Sequence, residues 1–334
     1  MSPLNNSSVK EYLSQKNILK KSEIKDVIEL KQGNSMYVFR VCSNNQRIKS
    51  IIVRQAQGYA RAKREFEVTP KRLDWEITAI EKYNNLLSDK KILPEIIYFD
   101  SVNHIAIIID SLGDDGKYFF EEYKNGNYYT CLVDKFANFF AELHGKTYGI
   151  NESEIWMSKE MHKFWTEEAF YRHYLLAFLK FYDIKLAENI VANSKKAKHA
   201  FCWLDPLPKN IVVGKDYFKV YDFEQATIWD PAYDIGAFIM PWYFQYLMKE
   251  LDLNFVTSFL SIYKNEMRKV VGDEDLAKLI TRAKVYLHTS LLHVATGNDV
   301  WDFIAQDETE KVVKFSKEFF GPEETAYKQF VKNL

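Results

Sequence analysis

Cysteine is scarce in this chain. Cys42, Cys131 and Cys202 are the only three in 334 residues, they lie far apart, and none belongs to a C-x-x-C pair. Such a set fits neither a disulfide framework nor a zinc-thiolate site, and it predicts a reducing, cytoplasmic setting. Histidine shows no metal spacing either: His288 and His293 stand five apart, so they would not share a helix face and read as core or surface residues. An excess of one charge is missing as well. The 45 lysines and arginines oppose 46 acidic residues for a formal net charge of -1, so no nucleic-acid or membrane-surface partner is indicated and a small partner is expected. The opening segment MSPLNNSSVKEYLSQKNILKK is polar where a secretory leader needs an apolar run, and no later apolar stretch approaches spanning length. Neither export nor membrane insertion is expected. The chain shows no internal repeat and no low-complexity tract.

What is present is core material: 47% of the residues are hydrophobic and 16% aromatic, enough for one large domain or two lobes. The first hundred residues alternate like strands in DVIELKQGNSMYVFRV, SIIVRQA, IIYFD and HIAIIID, with turn signals between the first pieces. Among them lies TPKRLDWEITAIEKYNNLL, which reads as a helix with Thr69 as N-cap, Pro70 at the first position, and Leu73, Ile77, Ile80 and Leu87 near helical spacing. After IIIDSLGDDGKYF the apolar spacing turns mainly helical, as in CLVDKFANFFAELHGKTYG and TSFLSIYKNEMRKVV. The pattern predicts an α+β protein of two lobes with a cleft between them: residues 1–112 form a small antiparallel sheet with a helix, and residues 113–334 a larger, mainly helical lobe.

One stretch, FCWLDPLPKNIVVGKDYFKVYDFEQATIWDPAYDIG, concentrates polar groups among apolar residues. NIVV and FKVYDF flank a Gly214-Lys215-Asp216 turn and read as a hairpin. Asp205 lies in a loop broken by Pro206 and Pro208, Asn210 follows five residues later, and Asp222 and Glu224 alternate after the second strand. Carboxylate and amide oxygens brought to neighbouring strands suit a hard divalent cation such as magnesium, which would hold phosphates. Asp205 is then left to orient and deprotonate a hydroxyl nucleophile, which is phosphoryl-transfer chemistry.

These motifs, D-x-x-x-x-N, a hairpin, D-x-E and DPAYDIG, resemble the catalytic region of the aminoglycoside phosphotransferase and choline kinase superfamily, which has a protein-kinase-like fold. GNSMYVFRV, IIVRQAQGYAR and RLDWEITAI resemble the first lobe of methylthioribose kinase, and FANFFAELHG resembles the helix that precedes the catalytic loop. The resemblance implies ATP and Mg2+ as cofactors, Asp205 as catalytic base, Asn210 and Asp222 as metal ligands, and Glu224 as a further ligand. It also implies that Arg54 contacts the nucleotide phosphates in place of the usual lysine and that Glu76 is its ion-pair partner. Gly33, the single glycine of KQGNSMYV, is the candidate in the phosphate turn. IIIDSLG, with Asp110 and Leu112, is the expected hinge that meets the adenine through backbone groups.

Besides Arg54, two further features depart from the superfamily. Trp203 stands two residues before the base, where histidine is usual, and Tyr286 and Leu287 stand where methylthioribose kinases carry an arginine pair. The expected activity is phosphorylation of a small-molecule hydroxyl, on a sugar, a methylthioribose-like compound or a related metabolite, methylthioribose itself not being the favoured substrate. Choline, ethanolamine or an aminoglycoside is the alternative acceptor, and a nucleotide-binding protein without turnover is the alternative of another class. Asp230 and Asp234 read as a turn acid and a loop-bracing acid. PWYFQYL, with Trp203 and Trp229 nearby in sequence, reads either as core or as a cage for a quaternary ammonium.

Overall fold

The computed structural model describes residues 2–30, 35–62, 64–65, 67–110, 112, 115–150, 163, 175–182, 184–297 and 301–320. The chain divides into two compact units, Met1–Lys117 with Val212–Glu224, and Tyr118–Ile211 with Gln225–Leu334.

The first unit is built on a five-stranded antiparallel sheet. Its strands are β1 (Ile24–Glu29), β2 (Tyr37–Ser43), β3 (Ser50–Gln55), β4 (Ile96–Asp100) and β5 (Ile105–Ile109), in the order β1-β2-β3-β5-β4. Each face carries a helix. On one face helix α1 (Asn6–Gln15) buries Val9, Tyr12 and Leu13 against Phe39, Val41, Ile51, Val53, Ile105 and Ile107. On the other, helix α2 (Arg72–Leu86) packs Leu73 and Ile77 on Met36, Ala56 and Ala106. Because side chains alternate along a strand, Val53 on the α1 face commits Arg54 to the α2 face.

Helix α1 arises from a segment whose polar composition hides it. Asn5 Oδ1 accepts from the backbone N–H groups of Ser7 and Ser8, both at 3.0 Å, while Ser8 Oγ accepts from the Asn5 N–H at 2.8 Å. That reciprocal cap satisfies N–H groups that a helix start otherwise leaves unpaired. Helix α2 corrects the sequence expectation. It starts at Arg72, and Thr69 Oγ1 accepts from the Lys71 N–H at 3.3 Å in a turn that precedes the helix instead of capping it. Leu73, Ile77, Ile80 and Leu87 are all buried, as their spacing predicts. The hairpin strands β8 (Ile211–Val213) and β9 (Phe218–Val220) are neighbours joined by a tight turn, with the Gly214 N–H on the Tyr217 carbonyl at 2.9 Å.

A two-residue strand, β6 (Lys117–Tyr118), leads into the helical part of the chain. The second unit contains α3 (Phe119–Lys124), α4 (Val133–Thr147), α5 (Leu175–Leu179), α6 (Ile184–Lys196), α7 (Pro231–Leu247), α8 (Asn254–Met267), α9 (Asp273–Thr296) and α10 (Gln306–Phe320), with a short ladder between β7 (Ala200–Cys202) and β10 (Thr227–Trp229). Helix α7 is apolar nearly all round, which places it at the centre of a core. Gly236 lets it approach α9 closely, since a Cβ there would lie 2.4 Å from the Ala283 carbonyl oxygen. The small antiparallel sheet and the mainly helical remainder are the α+β architecture the sequence implies. Among the described residues, no helix is long and apolar enough to cross a membrane.

Candidate active site

In the first unit, Arg54 projects from β3 toward α2, whose register turns Glu76 to meet it. Arg54 Nη1 donates to Glu76 Oε1, and Nη2 lies 3.5 Å from Asp222 Oδ1. Phe223, between Asp222 and Glu224, is buried with its ring edge-on to Tyr83 of α2 at 4.8 Å. Asp222 itself lies at φ 63°, in the left-handed region that non-glycine residues rarely adopt. Glu224 faces a second arginine. Its Oε2 accepts from Ser35 Oγ at 3.1 Å and lies 3.5 Å from Arg72 Nε.

The cluster therefore holds three carboxylates and two guanidinium groups. Burial pulls the Arg54 pKa down, but Glu76, Asp222 and Glu224 outweigh it and the net shift is upward. Arg54 stays charged. Burial, reinforced by the charge of Asp222 and only partly offset by Arg72, pushes the Glu224 carboxyl up to about 8. Acids crowded in this way suit a cation, and the donor set of the first unit is in that respect consistent with magnesium. Asp110 ends β5 with its side chain engaged: Oδ2 accepts from Ser50 Oγ at 2.8 Å and pairs with Arg40 at 2.9 Å, while Oδ1 accepts from the Leu112 N–H at 3.1 Å. Gly33 lies outside the described residues.

In the second unit, Asp205 and Asn210 are brought together by the short 3₁₀ turn Pro208–Asn210. The Leu207 N–H donates to the Asp205 carbonyl at 2.8 Å, and the Asn210 N–H to the Leu207 carbonyl at 2.9 Å. Asn210 Nδ2 then donates to Asp205 Oδ2 at 2.7 Å and to its carbonyl at 2.9 Å. With the amide nitrogen turned to Asp205, the amide oxygen is the face Asn210 offers a ligand. Lys209 Nζ pairs with Asp205 Oδ2 at 3.2 Å.

Asp234 anchors this loop. Its Oδ2 accepts the Trp203 N–H at 2.7 Å and its Oδ1 the Leu204 N–H at 2.8 Å, while His144 Nε2 meets Oδ2 at 3.2 Å and His144 Nδ1 meets the Tyr263 hydroxyl at 3.0 Å. His144, Cys202 and Asp234 lie close enough to share a metal, but these hydrogen bonds already engage the imidazole and the carboxylate, and burial raises the Cys202 thiol. The Trp203 side chain is buried against Phe139 and Phe140, and its backbone N–H is one of the two groups that Asp234 holds. Asp230 caps α7 and binds Arg282 in a two-bonded pair at 2.6 and 3.0 Å. Within PWYFQYL, Tyr246 is exposed while Trp242 and Phe244 are core: Trp242 stacks on Phe255 at 4.0 Å, and its Nε1 donates to the Tyr128 carbonyl.

Sequence reasoning overlooked Arg72, Ser35 and Lys209. Lys209 sits inside D-x-x-x-x-N, and Arg72 is a cation in the first turn of a helix, where the dipole disfavours it. Both were visible signals.

No protein-family model matches the sequence, and no curated protein matches it significantly. Solved structures do share its fold. A choline kinase from Cryptosporidium parvum Iowa II superposes with a TM-score of 0.57 at 14% identity over 97% of each chain. An ethanolamine kinase of Plasmodium vivax gives 0.56 at 16% over 92% of this chain and 87% of its own. Choline kinase LicA of Streptococcus pneumoniae gives 0.52 at 15% over 94% and 99%, and LicA in complex with AMP gives 0.50 at 18% over 94% and 98%. The chain has the protein-kinase-like fold of these choline and ethanolamine kinases.

Proposed function

We propose that the protein transfers the γ-phosphoryl group of ATP, with magnesium, to a hydroxyl of a small metabolite. The observation that carries this reading is the Arg54 guanidinium shared between Glu76 and Asp222. A strand arginine fixed by a helix glutamate is a preorganised phosphate contact, and it costs no reorganisation when the nucleotide arrives. Asn210 and Asp222 would supply the oxygen ligands for magnesium, with Glu224 the third candidate. Bound magnesium neutralises charge on the phosphate oxygens. Asp205 accepts the proton of the acceptor hydroxyl as its oxygen bonds to the γ-phosphorus and the bridging oxygen departs with ADP. Asn210 holds the Asp205 carboxylate in place for that task. Asp110 and Leu112 present backbone groups to the adenine.

A sugar or related metabolite is the first acceptor to test. Choline or ethanolamine is the second, and the fold shared with choline and ethanolamine kinases supports including it. The AMP complex of LicA supports an adenine nucleotide as donor. The deciding experiment incubates the protein with ATP, magnesium and a pooled panel of sugars and amino alcohols, and looks for an added phosphate by mass. A phosphorylated product is expected. Tight ATP binding without product from any acceptor would instead support a nucleotide-binding protein without turnover.

A further inference from the structure

Ser35 and Arg72, which the transfer step itself does not use, form a cluster with Glu224. Arg72 opens α2 and is only 5% exposed. Its guanidinium is bonded on every edge: Nη1 donates to the carbonyls of Gln57 at 2.8 Å and Thr69 at 2.7 Å, Nη2 to the Ser35 carbonyl at 2.9 Å, and Nε to Ser35 Oγ at 3.0 Å. Ser35 Oγ in turn donates a hydrogen bond to Glu224 Oε2 at 3.1 Å, the oxygen that also faces Arg72 Nε. Local folding does not favour this arrangement, because a cation opposes the positive end of the helix dipole and a buried guanidinium is costly to desolvate. What the arrangement achieves is a three-way tie. It joins Ser35 at the entry to β2, the connection from β3 to α2, and the segment Asp222–Glu224.

We propose that Arg72, acting through Ser35 and Glu224, is a positioning residue for nucleotide binding that holds the entry to β2 and the Asp222 segment as one piece. The proposal rests on the phosphoryl-transfer reading above. It divides the two acids by role: Asp222 sits beside Arg54 and faces the phosphates, whereas Glu224 is the anchor of the clamp. The planar fork of arginine is needed, because a lysine offers one point charge and cannot reach four acceptors in fixed directions.

The test measures ATP affinity by calorimetry on the full chain, with and without magnesium, alongside kcat and KM for ATP. Ser35→Ala keeps the fold and removes only the hydroxyl relay; its dissociation constant and KM for ATP should rise together by about fivefold to tenfold, the effect of losing one charge-assisted hydrogen bond, with kcat changed less than about twofold. Ser35→Thr, which retains the hydroxyl, should recover most of the affinity. Arg72→Lys should lose at least about tenfold. If Arg72→Lys fails to fold, the serine pair decides. ATP affinity unchanged in Ser35→Ala, or a fall in kcat at constant KM, overturns the clamp while leaving the phosphoryl-transfer reading intact. A wild-type protein that binds no ATP overturns that reading and the clamp with it.

Discussion

The Asp234 carboxylate accepts the backbone N–H of Leu204 at 2.8 Å, and Leu204 lies at φ 67°. A left-handed leucine costs about 1–2 kcal/mol, so the residue just before Asp205 stays in place only because its neighbours hold it. Asp234→Asn tests this. An amide has one acceptor oxygen and must turn its NH₂ toward a donor, so at least one of the Trp203 and Leu204 bonds is lost. The expected cost is about 2–4 kcal/mol in denaturant unfolding, together with at least a tenfold fall in turnover. Stability lost without any effect on turnover would show that Asp234 does not position the loop.

Asp205→Asn separates chemistry from binding. The amide nearly preserves shape but cannot take up a hydroxyl proton, so turnover should fall by about 10²–10⁴-fold, the range of a lost general base. Nucleotide affinity, measured by calorimetry, should stay within about threefold, because the phosphate contacts proposed for Arg54 are untouched. A variant that still turns over at the original rate would mean the base lies elsewhere.

The parts of this molecule that were legible in the sequence are those in which local pattern and tertiary role agree. The strands of the first unit alternate because each face is covered by a helix, which puts Arg54 of β3 on the face that α2 covers, whereas its pairing with Glu76 of α2 was anticipated only through the resemblance. Helix α1 could not, because its polar surface leaves only Val9, Tyr12 and Leu13 to mark the buried side. The β7–β10 ladder was invisible for another reason: with three residues a strand, neither partner is long enough to show a period. Arg72 carried one sequence signal, a cation in the first turn of a helix, but most of its acceptors are backbone carbonyls, which leave no trace in residue identity. Trp203 was noticed as a departure, but that the loop is tied at its backbone by Asp234 becomes visible only in three dimensions.

Arg54 should tolerate lysine better than alanine. Arg54→Ala leaves Glu76, only 1% exposed, as a buried carboxylate without its guanidinium, and should cost about 3–5 kcal/mol in unfolding. Arg54→Lys keeps a charge near Glu76 and Asp222 but loses the fork, so the fold should survive while ATP affinity drops by about tenfold or more. Equal ATP affinity in Arg54→Lys and wild type, read by calorimetry, would remove Arg54 from the phosphate contacts.

His288 of α9 makes stability depend on pH. It is buried with its ring stacked on Phe319 at 3.8 Å and on Phe315 at 4.7 Å, and among the described residues its Nδ1 has no hydrogen-bond partner. Burial lowers its pKa from the ordinary 6.5 to about 3, so the folded protein resists a proton that the unfolded chain accepts. Between those two values the unfolded state binds more protons, and stability rises with pH. The stabilisation is therefore complete above pH 6.5 and is lost as pH falls toward 3, by at most about 1.4 kcal/mol per pH unit from this one group. His288→Phe keeps an aromatic ring between α9 and α10 and removes the titration. Urea unfolding measured from pH 7 to pH 5 should show a shallower loss of stability in the variant than in the wild type. Parallel curves would show that His288 is not the group that opposes protonation of the folded state.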